Sequence, residues 1–269
     1  MKRIQLFEFE DFAWFPDFMR ASMTRLIVLL HKLLGLGGVL AHLIQDALEK
    51  SGQKSVVDLG SGAGGAMPHV MEILSKSKAH SETSMLLTDL YPNVKTVESI
   101  AQLRNPHLSY HPTSVNATDL KHAPKGLKTM VNSFHHMPPR QARKILESAY
   151  TSKEPILIYE MAENKMPLLL WWLLLPISLC ILIAMTLVMT PFVRPLTPAQ
   201  LIFTYVIPII PIAYAWDGQA SYPRMYAYKD FETLLDGLKD ESYSWTVAPA
   251  KNVKGKTQGY YVMGIPTTA

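Results

Sequence analysis

Cysteine and charge are both scarce in this sequence of 269 residues. The single cysteine, Cys180, excludes an internal disulfide framework and a cysteine-based zinc site, and its apolar surroundings predict a small buried side chain. Charged residues make up only 18% of the chain, and the net charge of +4 is mildly basic. No run of lysine and arginine with interleaved aromatic residues occurs, so a nucleic-acid partner is not expected. The basic balance does suit an anionic membrane surface.

The N-terminal region lacks the pattern of a secretory signal peptide. Residues 1–15 combine acidic and aromatic side chains and contain no apolar core with a cleavage site, so such a leader is not expected. The aromatic residues of this region predict a docked cap. Two helices are expected after it, over about 17–34 and from about 39 to Lys50, before the first strand.

Charge is absent from one long segment. No charged residue occurs between Lys165 and Arg194, and residues 167–190 are almost wholly apolar. At 1.5 Å per residue a helix of this length spans about 36 Å, which is enough for the roughly 30 Å hydrocarbon core of a membrane. Two tryptophans near its start are typical of a membrane interface. A second uncharged run, over residues 195–216, is interrupted by prolines.

A short β-branched run is followed by a glycine-rich turn. Residues 55–59 predict a buried parallel strand, and residues 66–75 predict a helix whose N-terminal amides point back at a ligand. The turn between them contains glycines that permit positive φ and close approach of a ligand to the backbone, namely Gly60, Gly62 and Gly64. The spacing also fits a dinucleotide-binding loop. Asp58, however, would repel a pyrophosphate and would suit a cationic ligand.

The segment Asp58-Leu59-Gly60-Ser61-Gly62-Ala63-Gly64 resembles the first motif of the class I S-adenosylmethionine (SAM) methyltransferases, an acid and any residue followed by Gly-x-Gly-x-Gly. Asp89 closes the next strand, where the family places the residue that holds the ribose hydroxyls. The resemblance covers about residues 52–160 and, less sharply, the last 40. It implies SAM as the cofactor, bound by Asp58, Gly60, Ser61, Gly62, Gly64, Asp89, Leu90, Asn116, Ala117, Asn132 and Ser133.

The Asn116 position departs from the family pattern, which usually has an acid there to meet the adenine amino group. The carbonyl oxygen of an amide can still accept that hydrogen bond. Asn116 and Asp119 therefore both stay open as the residue that meets the base.

Strands and helices alternate regularly enough from Ser55 onward to predict a parallel, doubly wound sheet. A helix over 231–238 and strands over 243–247 and 259–265 match the last elements of a methyltransferase sheet. The predicted fold is α/β, a Rossmann-like sheet of seven strands with an apolar helical hairpin inserted after strand 5. The first five strands are expected over 55–59, 84–89, 108–111, 129–133 and 156–159.

Adjacent histidines follow the fourth strand. An unperturbed imidazole has a pKa near 6.5, so His135 or His136 could act as a general base at neutral pH, and the sequence does not distinguish them. A purely structural role is the alternative. A metal is not expected, because adjacent histidines in an extended segment point in opposite directions and no third ligand lies nearby in sequence.

The apolar insertion must return to the side from which it left, because the last strands pair with the central ones. We therefore expect two membrane spans or a re-entrant pair, with Arg194 in the far turn. Basic residues near the other ends favour a membrane-associated protein with its catalytic domain on the cytoplasmic side. A soluble apolar lid or a dimer interface is the alternative.

The expected organisation has three parts. Residues 1–52 form a helical cap, 53–165 with 217–269 form the SAM-binding domain, and 166–216 form the apolar insertion. Just after the insertion, Asp217 could serve as a base, and two further residues could contact the acceptor, Arg224 and Tyr226. All three could equally anchor the chain at the membrane interface.

These observations predict a SAM-dependent methyltransferase in a membrane that acts on a hydrophobic or lipid-like acceptor. Three alternatives remain open. The hairpin could anchor an enzyme that has a soluble small-molecule acceptor, the chain could be a membrane-tethered cofactor-binding protein without catalysis, or the glycine turn could bind NAD. The sequence does not identify the acceptor or the oligomeric state.

Overall fold

A computed structural model describes residues 1–267, and the chain divides into two compact units. The sheet unit contains residues 35–163 and those from 227 onward, and the helical unit contains 1–34 and 164–226. Within the described residues, helices α1 to α9 span Asp17–Leu34, Leu36–Ser51, Met67–Leu74, Val94–Gln102, Pro139–Ser152, Leu168–Met189, Pro198–Leu201, Ile209–Arg224 and Tyr228–Leu234. Strands β1 to β7 span Ser55–Leu59, Ser84–Thr88, Leu108–Tyr110, Leu127–Val131, Ile156–Glu160, Tyr243–Lys251 and Thr257–Pro266.

The strands form one mixed sheet in the order β3-β2-β1-β4-β5-β7-β6. Strands β1 to β5 pair in parallel, and β7 is antiparallel to both β5 and β6. The predicted fold class is therefore confirmed, including the helical insertion after β5. Because the strand order reverses between β1 and β4, the loops after these two strands meet at the switch point where open α/β sheets bind ligands.

The core of the sheet unit follows from the apolar patterns of its elements. Helices α2 and α3 bury their apolar faces in one cluster with the strands, in which Leu40, Ile44 and Val70 are fully buried. Helix α5 buries Ala142, Ile145, Leu146 and Ala149, which share one helix face at the 3.6-residue period. Burial on this scale contributes about 25 cal/mol per Å² of apolar surface.

Strand β4 begins and ends two residues earlier than the pattern predicts. The reason is Lys128, which is fully buried in the strand although lysine is rare in such positions. Its Nζ lies 3.0 Å from Oε2 of Glu154, and it also donates to the Gly126 carbonyl at 2.9 Å. Asn132 and Ser133 consequently lie beyond the strand rather than in it.

The last helix also begins earlier than predicted, at Tyr228 rather than Phe231. Oδ2 of Asp230 accepts a hydrogen bond from the Ala227 amide at 2.9 Å, which satisfies one donor at the helix start. The helix ends at Leu234, and Gly237 follows with a φ of 70°.

The helical unit is dominated by α6, which continues through a short 3-10 turn to Phe192. Within the described residues this 25-residue segment, with a mean hydropathy of 2.5, is the one helix that is long and apolar enough to cross a membrane. It packs against α8, where Oγ of Ser178 donates to Oε1 of Gln219 at 2.9 Å. The prediction that Cys180 is buried is wrong, because this side chain is exposed on α6.

The second apolar run is a broken element and not one straight helix. It consists of α7, a π turn over Ile202–Val206 and then α8, and the two helical parts are bent by 82°. Pro208 lies at the break, where a residue without an N–H and with a fixed φ interrupts helical hydrogen bonding. By length and composition, such a bent pair is compatible with either a broken span or a re-entrant loop.

We expect Gly259→Ala to destabilise the sheet unit strongly. Gly259 has a φ of 91°, and an added Cβ would lie 2.2 Å from the Glu160 carbonyl oxygen across the β5–β7 pairing. Backbone strain and overpacking together should cost about 3 kcal/mol or more. Gly255→Ala is the matched control, because Gly255 has a φ of 74° but no atom within 4 Å of the new Cβ. Urea unfolding followed by circular dichroism should show a clearly larger loss for Gly259→Ala, and equal losses would contradict the prediction.

Candidate functional site

The turn between β1 and α3 is a loop built on glycines. Gly60, Gly62, Gly64 and Gly65 have φ values of 67°, 51°, 91° and 49°, in the left-handed region that favours glycine. A Cβ added at Gly62 or Gly65 would meet no atom within 4 Å. The backbone at these two positions is therefore open to a ligand, whereas Gly64 lies against the side chains of Ile100 and Leu87.

Asp58, the last residue but one of β1, contacts this loop through its side chain. Its carboxylate accepts hydrogen bonds from the Ser61 hydroxyl at 2.6 Å and from the Thr129 hydroxyl at 2.7 Å. The side chain is only 3% exposed. Burial raises the pKa of Asp58 to about 6, the two hydroxyl contacts oppose that rise, and the charge of Asp89 adds to it.

Asp89 lies just beyond β2 and fastens the same loop from the neighbouring strand. Its Oδ2 accepts from the Gly62 amide at 2.9 Å, and its Oδ1 accepts from the Tyr91 amide at 2.8 Å. The next residue, Leu90, is exposed beside it. Asp89 itself is only half-buried, so its carboxylate also remains accessible to a ligand.

Tyr110 is a residue of this site that sequence reasoning missed. It is the last residue of β3, and its hydroxyl donates to the Gly62 carbonyl at 2.9 Å. Burial first, then the charges of Asp89 and Asp58, raise its pKa, so the phenol stays protonated and remains a donor. Its position at the carboxyl end of a parallel strand is the sequence signal that could have identified it.

The loop after β3 contains Asn116 and Ala117. The Asn116 side-chain oxygen accepts from the Thr118 amide at 2.9 Å and from the Thr118 hydroxyl at 2.8 Å. Oδ2 of Asp119 lies 2.8 Å from Nδ1 of His122. Both Asn116 and Asp119 are exposed, so the structure leaves either available to a base.

Asn132 and Ser133 follow β4 on the opposite side of the glycine loop. Asn132 has a φ of 50°, and its side-chain oxygen accepts from the Met161 amide at 2.9 Å. The Ser133 hydroxyl is buried and has no hydrogen-bond partner within residues 1–267. It lies 3.7 Å from the position of a Cβ on Gly60. A buried hydroxyl without a partner, next to a glycine loop whose backbone is accessible, fits a polar ligand that lies along the loop.

His135 is held by Glu160, the last residue of β5. The Glu160 carboxylate accepts from the His135 amide at 3.0 Å and lies 2.8 Å from His135 Nδ1. Because an ionised carboxylate only accepts, Nδ1 must carry the proton of a neutral imidazole, which leaves its lone pair on Nε2. Glu160 is fully buried and His135 nearly so. This is the arrangement of an oriented general base.

The Glu160 contacts give His135 a defined orientation, which the sequence could not predict. The ring of His136 lies 4.3 Å from that of His135, and a catalytic role for either histidine stays a prediction. Glu160 was missed as a site residue, although an acid at the carboxyl end of a central strand was a usable signal.

The structure places Asp217, Arg224 and Tyr226 in the helical unit. The Asp217 carboxylate accepts from the amides of Phe9 at 2.7 Å and Glu10 at 3.2 Å. The Arg224 guanidinium pairs with Glu8 at 2.9 Å and with Asp11 at 2.7 Å. Tyr226 is fully buried, with the Arg3 guanidinium 5.0 Å from its ring centre. These contacts fasten the N-terminal segment, and catalytic or acceptor-binding roles for the three residues stay predictions.

No protein-family model matches the sequence, and no curated protein matches it significantly. Solved structures do match its fold. The plantazolicin methyltransferase BamL, in complex with a triazolic desmethylPZN analogue and SAH, is 11% identical with a TM-score of 0.52, over 94% of this chain and 98% of that chain. The plantazolicin methyltransferase BpumL, in complex with SAH, is 10% identical with a TM-score of 0.50, over 93% and 98% of the two chains.

Human N-acetylserotonin methyltransferase in complex with SAM is a more distant match, 12% identical with a TM-score of 0.45. The alignment covers 84% of this chain and 52% of that one, so the chain spans about half the length of the human enzyme. At such identities the likeness concerns the fold. The structural similarity to the two plantazolicin enzymes shows that this chain has the fold of the class I SAM-dependent methyltransferases.

We expect Asp58 to make the protein less stable as pH rises. Its pKa in the folded protein, about 6, lies above the ordinary 3.8, so the folded state binds this proton more tightly than the unfolded chain. The free energy of unfolding should therefore fall by about 3 kcal/mol between pH 4 and pH 7 through this group. Asp58→Asn should remove that fall, as measured by urea unfolding of the cofactor-free protein at both pH values.

Asp240→Asn is the matched control for this prediction. Hydrogen bonds from Ser242 and Tyr150 lower the pKa of Asp240 to about 2, so ionised Asp240 favours the folded state. Both pH values lie above its unfolded pKa of 3.8, so Asp240→Asn should lower stability by a similar amount at pH 4 and pH 7 and should leave the fall through Asp58 in place. If Asp58→Asn and the parent showed the same pH dependence, the assignment of a raised pKa to Asp58 would be wrong.

Proposed function

We propose that this chain is a SAM-dependent methyltransferase, anchored in a membrane through its helical unit, that methylates a hydrophobic or lipid-like acceptor. The observation that carries the proposal is the arrangement at the carboxyl edge of the sheet. There the open glycine loop, the orphaned Ser133 hydroxyl and the His135–Glu160 pair follow adjacent strands of a class I methyltransferase fold.

The residues present fit SAM, and different residues would contact different parts of it. Asp58 and Asp89 supply negative charge toward a cationic sulfonium ligand, and Asp89 is accessible to ribose hydroxyls. The Gly62 and Gly65 backbone lies open to the ligand, and the Ser133 hydroxyl offers a hydrogen bond. When bound, SAM supplies an electrophilic methyl group for in-line transfer to the acceptor.

His135 would remove the proton from an acceptor hydroxyl or amine. Its Nε2 carries the lone pair because Glu160 holds the proton on Nδ1, and the same carboxylate stabilises the imidazolium that forms. Such an oriented base contributes about 10²–10⁴-fold to a rate. An acceptor atom without a proton to lose would not require it.

Helix α6 supports the membrane part of the proposal. Its large apolar side chains project outward, with Leu169, Leu173 and Val188 between 67% and 74% exposed. A 25-residue helix is about 37 Å long, which spans the roughly 30 Å hydrocarbon core. Exposed apolar surface of this size on one helix fits lipid better than water. The bent pair α7–α8 would complete a re-entrant return.

Orientation follows from the charges that flank the insertion. Arg194 lies in the turn between its two arms, whereas Lys153, Lys165 and Lys229 lie near its other ends. The larger number of basic residues on the side of the sheet unit supports a cytoplasmic catalytic domain under the positive-inside rule.

We expect Gly62→Ala to weaken SAM binding at least tenfold while the protein stays folded. A Cβ at this position meets no protein atom, so the folding cost is only the left-handed φ, about 1 kcal/mol. The same Cβ would occupy the space of the ligand. Titration calorimetry with SAM should show the loss, with Gly255→Ala as a control that shares the strain and lies in the β6–β7 turn. Equal affinities for the two variants would contradict a ligand on this loop.

We expect His135→Gln to reduce methyl transfer by about 10²-fold or more, and His136→Gln is measured beside it in the same assay. The assay incubates the full-length protein in nanodiscs with radiolabelled SAM and total lipid extract, and the labelled species is identified by mass spectrometry. Glu160→Gln should give an intermediate loss and an altered pH–rate profile, because the imidazolium loses its carboxylate.

Radiolabelled methyl groups that are recovered in the organic phase after lipid extraction would support a lipid-like acceptor. Label confined to water-soluble acceptors would support an enzyme for which the hairpin is only an anchor. Tight SAM binding without transfer to any acceptor would support a cofactor-binding protein, and binding of NADH without SAM would overturn the proposal altogether.

A further inference from the structure

The helical unit contains buried polar side chains that nothing in the proposed reaction uses. Three of them lie with the partly buried Arg25 on three elements: Ser22 and Arg25 on α1, Gln200 on α7, and Thr204 on the π turn. Ser22, Gln200 and Thr204 are fully buried. Such groups are costly in an apolar unit unless each finds a hydrogen-bond partner.

Two members of the cluster have no partner within residues 1–267, namely the Gln200 Nε2 amide and the Thr204 hydroxyl. The orientation of the Gln200 amide is fixed, because Nε of Arg25 donates to its Oε1 at 3.0 Å and cannot donate to an NH₂ group. Nε2 therefore presents its N–H groups elsewhere. A buried donor without a partner destabilises the folded protein, so two such donors together favour a ligand that accepts hydrogen bonds.

Gln200 and Thr204 are four residues apart and so lie on one face of the helical segment, one turn from each other. The Arg25 guanidinium contacts Gln200 and also donates to the Ser22 hydroxyl at 2.9 Å. All of these groups can donate, and one carries a positive charge, so together they favour an oxyanion over a neutral or cationic group. The π turn that contains Thr204 is itself a rare geometry that is frequent at functional sites.

An apolar cavity of about 250 Å³ lies on the same two chain segments. Its lining includes Phe15 and Met19, the latter one turn before Ser22, and Ile209 and Ile212, directly after the break that follows Thr204. On α1, Met19 and Arg25 are about 9 Å apart at 1.5 Å per residue. Hydrocarbon in the cavity and an oxyanion at the polar cluster are thus within reach of a single amphipathic molecule.

We propose that Arg25, Gln200 and Thr204 form a binding site for the oxyanion head of an amphipathic molecule whose hydrocarbon chain extends to the apolar cavity on the same two chain segments. The head is a carboxylate or a phosphate, since both accept hydrogen bonds from this set of donors. The site lies wholly within the helical unit. It does not depend on methyl transfer, so a failed transferase assay leaves it standing.

The test measures binding of oleate, dodecyl phosphate and methyl oleate to the full-length protein in nanodiscs, without SAM, by native mass spectrometry. We expect one oleate or one dodecyl phosphate per chain, bound at least tenfold more tightly than the uncharged methyl oleate. Which anion binds more tightly distinguishes a fatty acid from a phosphate headgroup as the source.

Two variants separate binding from folding. Gln200→Glu keeps an oxygen for Arg25 but replaces the Nε2 donor with a negative charge, so it should reduce anion binding at least tenfold. Thr204→Val removes only an unpartnered hydroxyl, so the ligand-free protein should be no less stable while its anion affinity falls severalfold. Thr186→Val is the matched control, because that buried hydroxyl already donates to the Leu182 carbonyl at 2.8 Å.

Unchanged anion affinity in both Gln200→Glu and Thr204→Val would overturn the proposal, as would equal binding of oleate and methyl oleate. A thermal midpoint measured for each ligand-free variant shows that it is folded. A loss of affinity in Thr186→Val as large as that in Thr204→Val would also count against a specific site.

Discussion

The buried carboxylate of Asp58 is the interaction on which the candidate site depends. It joins the hydroxyl of Ser61, in the glycine loop, to that of Thr129, on the neighbouring strand β4. Burial in an apolar sheet disfavours its charge, and the two hydroxyls compensate in part. Hydrogen bonds from Gly62 to Asp89 and from Tyr110 to Gly62 also fix the loop, whose backbone stays open to a ligand at Gly62 and Gly65.

The carboxyl edge of the sheet also brings Glu160 and His135 together. Parallel strands β1, β4 and β5 end at one edge, so residues far apart in sequence become neighbours. Glu160, at the end of β5, thereby reaches the turn after β4 and selects one tautomer of His135. The strand pairing thus gives the His135 imidazole a defined orientation.

The helical unit has an apolar exposed face and polar contacts in its interior. The outer face of α6 is apolar and exposed, whereas Asp217 and Arg224 are buried and bind the N-terminal segment. These contacts satisfy the buried charges of Asp217 and Arg224, and roles for the two residues in catalysis or acceptor binding stay predictions. The polar cluster around Gln200 is the exception, because its donors are not all satisfied within the described residues.

Local patterns were sufficient for the strands, the glycine turn and the apolar insertion, because periodicity, β-branching and glycine spacing report backbone conformation and burial directly. They also located Asp58 and Asp89, which border that turn. Tertiary structure decided the rest: the early start of β4 at a lysine paired with Glu154, the exposure of Cys180, and the orientation of His135 by Glu160. Each depends on how segments distant in sequence pack against one another, which no local pattern records.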